Sequence, residues 1–267
     1  MIDAFARPES AIEASAALVG VAACISSLEW LAVRGELAPR GCFAWRLSGS
    51  RPFVLRNAAA GRALSLLFEP PGVLILLAVR ALVSVLLVAA AIAGIALEPP
   101  LVALGLTSLV FFYRGPYGRD GSDQMILVIV AALAAGTMLH AERLAVVFVA
   151  CQLVAAYFIA GVAKLRGREW RNGDAVPLIL STRSYGAPGV GALLREQRWV
   201  GRAVTWTTMS FEFLFPLALL GPQQVLIGAL VVGALFHVTT AATMGLNVFL
   251  WAFLACYPCV LYLSQQV

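Results

Sequence analysis

Ionisable side chains are scarce in this sequence. Only 12% of its 267 residues are charged, about half the share found in a soluble domain, so no polar shell is available to cover an apolar surface. A water-soluble globular fold is excluded on that count. The 61% hydrophobic content and the mean hydropathy of +0.89 make lipid the solvent. Lysine is almost absent: Lys164 is the single lysine among nineteen basic residues. Histidine occurs twice, at His140 and His237. Neither histidine nor the scattered carboxylates make a metal-binding spacing, so no metal is expected. Strand alternation at barrel spacing is missing, which leaves helices as the spanning elements. No low-complexity linker or soluble segment interrupts the chain. The opening MIDAFARPES lacks the basic n-region of a cleavable signal peptide, so the first helix is expected to act as the targeting signal.

What the chain has in abundance is long apolar runs. They occupy 11–33, 72–97, 124–140, 144–163, 203–220 and 225–263, the last being long enough for two crossings. A shorter segment at 98–113 has to tilt, pair with a neighbour or stop partway. The expectation is an all-α integral membrane protein, a bundle of seven or eight transmembrane helices forming one polytopic domain over 1–267. Glu69-Pro70-Pro71 and Glu98-Pro99-Pro100 each precede an apolar run and read as helix starts.

The basic residues orient these spans. Arg34, Arg40, Arg46, Arg51, Arg56 and Arg62 share one loop, Arg114 and Arg119 a second, and eight more lie from Lys164 to Arg202. With eight crossings the three loops fall on one face, which the positive-inside rule makes cytoplasmic. The net charge of +5 is thereby explained as a topogenic signal, and no nucleic-acid partner is expected. The long loop before the sixth span carries Trp170, Trp199 and the apolar Val176–Leu180, a composition suited to short amphipathic helices at the interface.

Several residues could carry chemistry. Lys164 stands where the fifth span meets the long loop, and lysine is the basic side chain that burial can turn into a base. Tyr157 and Gly161 share its helix stripe. The alternative reading is an interfacial lysine that snorkels. Glu13, Glu29, Arg80, Glu212 and His237 are the other ionisable groups within spans, costly there unless each faces a partner or a cavity. Thr205, Thr208 and Glu212 form a polar stripe that must face the bundle interior. His237, with Thr240 three residues on, reads as an acid, a base or an orienting group, or equally as a satisfied core histidine. Arg80 needs a carboxylate or carbonyls around it. Cys256 and Cys259 are spaced as a dithiol, although Cys24, Cys42 and Cys151 supply no second pair.

The run Tyr157-Phe158-Ile159-Ala160-Gly161-Val162-Ala163-Lys164-Leu165, with Trp170 and Gly173 beyond it, resembles the vitamin K-dependent gamma-glutamyl carboxylase family. It is also similar to the wider bacterial HTTM (horizontally transferred transmembrane) family. Phe236-His237, Met244-Gly245-Leu246-Asn247-Val248-Phe249 and Pro258 follow in similar order, so that the likeness spans about 65–263.

The resemblance implies a lyase-type enzyme in which a reduced quinone, vitamin K hydroquinone or menaquinol-like, reacts with O2. The strong base so produced lets a glutamate γ-carbon capture CO2. Lys164 then becomes the base, with His237 and Glu212 as pocket residues and Tyr157, Gly161, Trp170, Thr208 and Thr240 lining substrate or cofactor. The implied partners are the bilayer, a quinone-like lipid and a peptide substrate; the implied location is a bacterial cell membrane. Where the carboxylase has Asn-His, this chain reads Arg119-Asp120-Gly121-Ser122-Asp123-Gln124, with Asp123 as the candidate replacement for the missing imidazole. The large domain that follows the membrane part in the carboxylase has no counterpart within these 267 residues. The carboxylase also works on the lumenal side, opposite to the charge count here. Two other functions compete. One is a non-enzymatic subunit of a peptide maturation or export system, or a small-solute carrier. The other is a quinone-coupled dithiol oxidoreductase using Cys256 and Cys259.

Overall fold

The computed structural model describes residues 5–48, 58–115 and 121–266. Arg51, Arg56, Arg119, Asp120 and the first four residues of MIDAFARPES lie outside the described residues. Every regular element among the described residues is helical. The chain forms two compact units: residues 9–145, and residues 146–267 together with 1–8.

The first unit contains α1 (Pro8–Ala32), α2 (Ala58–Phe68), α3 (Gly72–Ala93), α4 (Glu98–Arg114) and α5 (Ser122–Met138). Both Glu-Pro-Pro boundaries punctuate as expected. Pro71 caps the start of α3, and the prolines after Glu98 occupy the first turn of α4, where a missing N–H costs nothing. The 98–113 segment is a continuous 17-residue helix, about 25 Å long. Small residues bring α1 and α3 together: a Cβ on Gly20 would sit 2.8 Å from Cγ2 of Val88.

Against that contact the unit buries Arg80, which is 1% exposed. Its guanidinium donates to Oγ of Ser108 at 3.1 Å, to Oγ of Ser26 at 3.1 Å, to Oγ of Ser27 at 3.0 Å and to the Ala23 carbonyl at 3.2 Å. Ser26 in turn donates to Asp123 at 3.3 Å. Hydroxyls and a carbonyl thus solvate the cation directly, and the carboxylate acts at one remove. Arg114 is similarly spent on backbone, donating to the carbonyls of Phe68 and Phe43. Its bond to Phe43 ties Arg114 to a residue packed on an apolar cluster that includes Leu37, Leu77, Phe111 and Trp30. Glu13 and Glu29 are exposed near opposite ends of α1, where a carboxylate can reach the interface.

The second unit takes up α6 (Glu142–Arg166) from its second turn, then α7 (Arg168–Asn172), α8 (Ala175–Leu180) and α9 (Pro188–Glu196). The long loop is therefore three short helices. It continues into α10 (Arg198–Leu214), α11 (Gln223–Met244), α12 (Asn247–Leu254) and α13 (Tyr257–Ser264). Pro216 turns the end of α10 into a 3-10 segment, Phe215–Leu219. The run at 225–263 splits where Gly245 takes a left-handed conformation, φ 71°, to end α11. Pro258 lies in the first turn of α13, just past the break that separates it from α12. Five helical segments among the described residues are long and apolar enough to cross a membrane: α1, α3, α6, α11 and the α12–α13 pair. α5 is apolar but shorter.

The buried Arg80 network makes a direct prediction. Ser108→Ala removes a charge-assisted hydrogen bond and is expected to cost about 1.5–3 kcal/mol. Thr107→Ala, which deletes a hydroxyl bonded only to its own helix backbone, is expected to cost less. Thermal unfolding of both variants in detergent checks the ranking.

Candidate functional site

The second unit gathers most of the sequence-predicted site residues. Its geometry starts from Gly161. A Cβ there would lie 2.5 Å from the backbone nitrogen of Phe213 and 2.6 Å from its Cα, so only glycine lets α6 touch the backbone of α10. Less than one turn further along α6, Lys164 extends across the contact to Glu212. Its Nζ sits 2.5 Å from Oε2, and the two side chains are 20% and 6% exposed. Trp170, on α7, covers the ammonium with its ring centroid 5.0 Å away. A lysine simply snorkelling to water would leave its head in solvent; this one is turned onto a buried carboxylate.

One turn before Gly161, and two before Lys164, Tyr157 points into an aromatic core. Its hydroxyl lies 2.7 Å from Nε2 of His237 and 3.4 Å from the hydroxyl of Tyr257. Gly233 makes room for both phenols, since a Cβ there would meet the Tyr257 oxygen at 2.5 Å and the Tyr157 oxygen at 3.2 Å. Phe211, Phe215 and Phe253 pack around Tyr157 with ring centroids 4.6–5.7 Å away. Phe236, Phe249 and Phe253 surround His237. Phe211 adjoins Glu212 in the chain, so α10 carries the wall of the phenol–imidazole cluster and the carboxylate of the ion pair side by side. His237 is fully buried, and its Nδ1 has no hydrogen-bond partner among the described residues.

The remaining candidates divide. Thr240 donates to the backbone carbonyl of His237 at 2.9 Å, which commits its proton and leaves its oxygen able to accept. Thr205 donates to the Gly201 carbonyl and accepts from the Val176 N–H, holding α8 against α10. Thr208 is half-buried on the same helix. Asp123 belongs to the first unit, where Ser26 donates to it. Cys256 and Cys259 are both fully buried thiols, an environment that suits inert structural cysteines better than a redox pair. Among the described residues no group of acidic, histidine and cysteine side chains is placed to hold a metal ion. Sequence reasoning did not single out Tyr257, Phe211, Phe215 or Phe253. In so apolar a chain aromatic residues carry no signal of their own, and only the i+4 repeat of Phe211 and Phe215 after Thr207 hinted at a shared face.

A helical membrane domain built around one lysine–glutamate pair and a tyrosine–histidine–tyrosine cluster is the class these features define. The HTTM domain model matches residues 136–265, the stretch that holds all of them. No curated protein and no solved structure matches the chain.

The Gly161 contact is testable by stability. Gly161→Ala forces a methyl into the Phe213 backbone and is expected to destabilise the protein by about 1–3 kcal/mol. Gly228→Ala on α11, where a Cβ would meet nothing within 4 Å, is expected to be neutral or stabilising by up to about 1 kcal/mol. Paired thermal melts in one detergent distinguish the two.

Proposed function

We propose that the protein is a membrane-embedded enzyme whose chemistry is similar to that of vitamin K-dependent gamma-glutamyl carboxylase. Lys164 is its base, a reduced quinone its cofactor, and a peptide or small molecule its substrate. One observation carries this reading: the sole lysine of the chain is set on a buried carboxylate inside the HTTM domain. A lysine acts as a base only as the neutral amine. Transfer of one proton from Nζ to Oε2 of Glu212 leaves that amine with a free lone pair, and the proton stays within the site. When Lys164 then takes a proton from substrate, the substrate anion is the partner of the new ammonium while Glu212 still holds its own proton. Release of that proton from Glu212 to water regenerates the resting ion pair, and the Trp170 ring adds cation–π stabilisation to the ammonium throughout.

His237 and Tyr157 form the second functional group. Their 2.7 Å contact, extended by Tyr257, is a path along which a proton can shift between imidazole and phenol. The buried, unpartnered Nδ1 of His237, in a shell of three phenylalanines, fits a ring-bearing cofactor with a hydroxyl to donate or accept. A bound quinol would supply the reducing equivalents for reaction with O2, with CO2 as the group added if the reaction is carboxylation. Asp123 is left to the Arg80 network of the first unit. Seven or eight crossings in a bacterial cell membrane, with the three arginine-rich loops on one face, complete the reading; the charge count supports it.

The test is quinol-dependent oxygen uptake by the full chain in nanodiscs, with a reduced naphthoquinone, a glutamate-containing peptide and labelled CO2. The wild type is expected to consume oxygen with the quinol present. Lys164→Met and Lys164→Arg are each expected to lose about 100-fold to 10,000-fold of that rate. A wild type without quinol-dependent uptake, or a Lys164→Met variant that retains it, contradicts the proposal.

A further inference from the structure

Two grooves follow one another along α10, opening on exposed residues at its N-terminal end and closing on Phe211 and Phe215, the rings that wall Tyr157. At the N-terminal end lies a groove of about 720 Å³ lined by Arg198, Trp199, Arg202 and Trp206, with Glu196 as its only acidic group. A second groove, of about 440 Å³, begins at the same Trp206 and continues past Thr207 and Ser210 to Phe211, Leu214 and Phe215, with Ala229 of α11 as its far wall. Trp206 lines both, so the two grooves succeed one another along the helix as a track.

Its walls are preset. The indole N–H of Trp206 donates to the Arg171 carbonyl at 3.2 Å. The stem of Arg202 lies flat on Gly173, where a Cβ would come within 2.6 Å of its Cγ.

The chemistry changes along the track in a fixed order. Two guanidiniums and two indoles come first, the pairing typical of a membrane–water interface. Thr207 and Ser210 follow, about 7.5 and 12 Å deeper along the helix than Arg202 at 1.5 Å per residue. Both are exposed. Thr205 bonds the Gly201 carbonyl, yet neither Thr207 nor Ser210 makes a hydrogen bond among the described residues. Both hydroxyls are therefore free to meet the polar groups of a ligand lying in the groove. Beyond them the lining is wholly apolar down to Phe215, about 20 Å along the helix from Arg202.

We propose that this track binds one glycerophospholipid with an anionic headgroup. The phosphate sits on Arg198 and Arg202, the ester groups lie at Thr207 and Ser210, and an acyl chain lies along Phe211, Leu214 and Phe215. The order of charge, hydroxyl and hydrocarbon matches the order of phosphate, ester and chain in such a lipid. The excess of two arginines over one glutamate selects the anionic head. The site does not depend on what Lys164 does.

Native mass spectrometry of the full-length protein, released from detergent after exposure to equimolar phosphatidylglycerol and phosphatidylcholine, tests this directly. The wild type is expected to retain phosphatidylglycerol in preference. R198Q/R202Q is expected to lose that preference by about fivefold per arginine, and Ser210→Leu, which fills the track, to lose retention of both lipids. Lys164→Arg is expected to leave lipid retention unchanged, which separates this site from the proposed catalytic pair. Equal retention of the two lipids by the wild type overturns the proposal. So does an undiminished preference in R198Q/R202Q or undiminished retention in the Ser210→Leu variant. The last measurement stands if the double arginine variant fails to fold.

Discussion

Direct backbone contact between α6 and α10 at Gly161 is the constraint on which the rest of the second unit depends. Helices bearing ordinary side chains stay 8–10 Å apart. At that distance a lysine on one and a glutamate on the other have to find each other through intervening side chains. With no side chain at 161, the backbone of Phe213 reaches α6 itself, and Glu212 is carried onto Lys164. The same closeness presses Phe211 and Phe215 onto Tyr157, which shields the phenol–imidazole contact from lipid and water alike. Gly233 repeats the device on α11, where it clears space for two phenolic oxygens.

In the first unit the same physical problem, a charge in an apolar interior, is solved in another way. Arg80 is given three hydroxyls and a carbonyl, with Asp123 behind one of those hydroxyls. An arrangement of that kind disperses the charge and leaves no group free to react. In the second unit the charge meets a single carboxylate, and one ring nitrogen nearby, Nδ1 of His237, is left without a partner. Dispersed solvation suits a structural role; a single proton-sharing contact beside an orphaned imidazole nitrogen suits chemistry. The contrast is the strongest argument for locating function in residues 146–267.

Much of this was legible in the sequence, and the limits of legibility have physical causes. Apolar run length located α1, α3, α6, α11 and the α12–α13 pair, because the thickness of hydrocarbon sets the length of a span. The runs at 124–140 and 203–220 fold as helices of only 17 residues, α5 and α10, outside the five described segments long and apolar enough to cross. The Glu-Pro-Pro boundaries of α3 and α4 followed from proline's missing N–H. Lys164, Glu212 and His237 stood out because an ionisable group in lipid needs a reason. Their pairing did not. Helical periodicity tells which residues share a face but not which face of which helix lies opposite, and Lys164 and Glu212 are separated by three short helices and the connections between them. In the sequence Gly161 is one member of a stripe lining a site; in the structure it is the contact that brings α6 onto the backbone of α10. The bond from Thr240 to the His237 carbonyl is a local choice that sequence spacing alone does not reveal. The aromatic walls were hidden by composition, since phenylalanine in an apolar helix is equally at home facing lipid.

The central claim is that Lys164 and Glu212 are one unit. The chain's having a single lysine makes the most direct measurement simple: the rate of amine acylation at Lys164 as a function of pH, in nanodiscs with the N-terminus blocked, for the wild type and for Glu212→Gln. If the pair is as described, Lys164 in the wild type reacts with a pH profile that the Glu212→Gln substitution displaces, because the amide can neither take the ammonium proton nor act as its counter-ion. If the two proteins give superimposable profiles, Lys164 is an interfacial lysine independent of Glu212, and the account of the site is wrong.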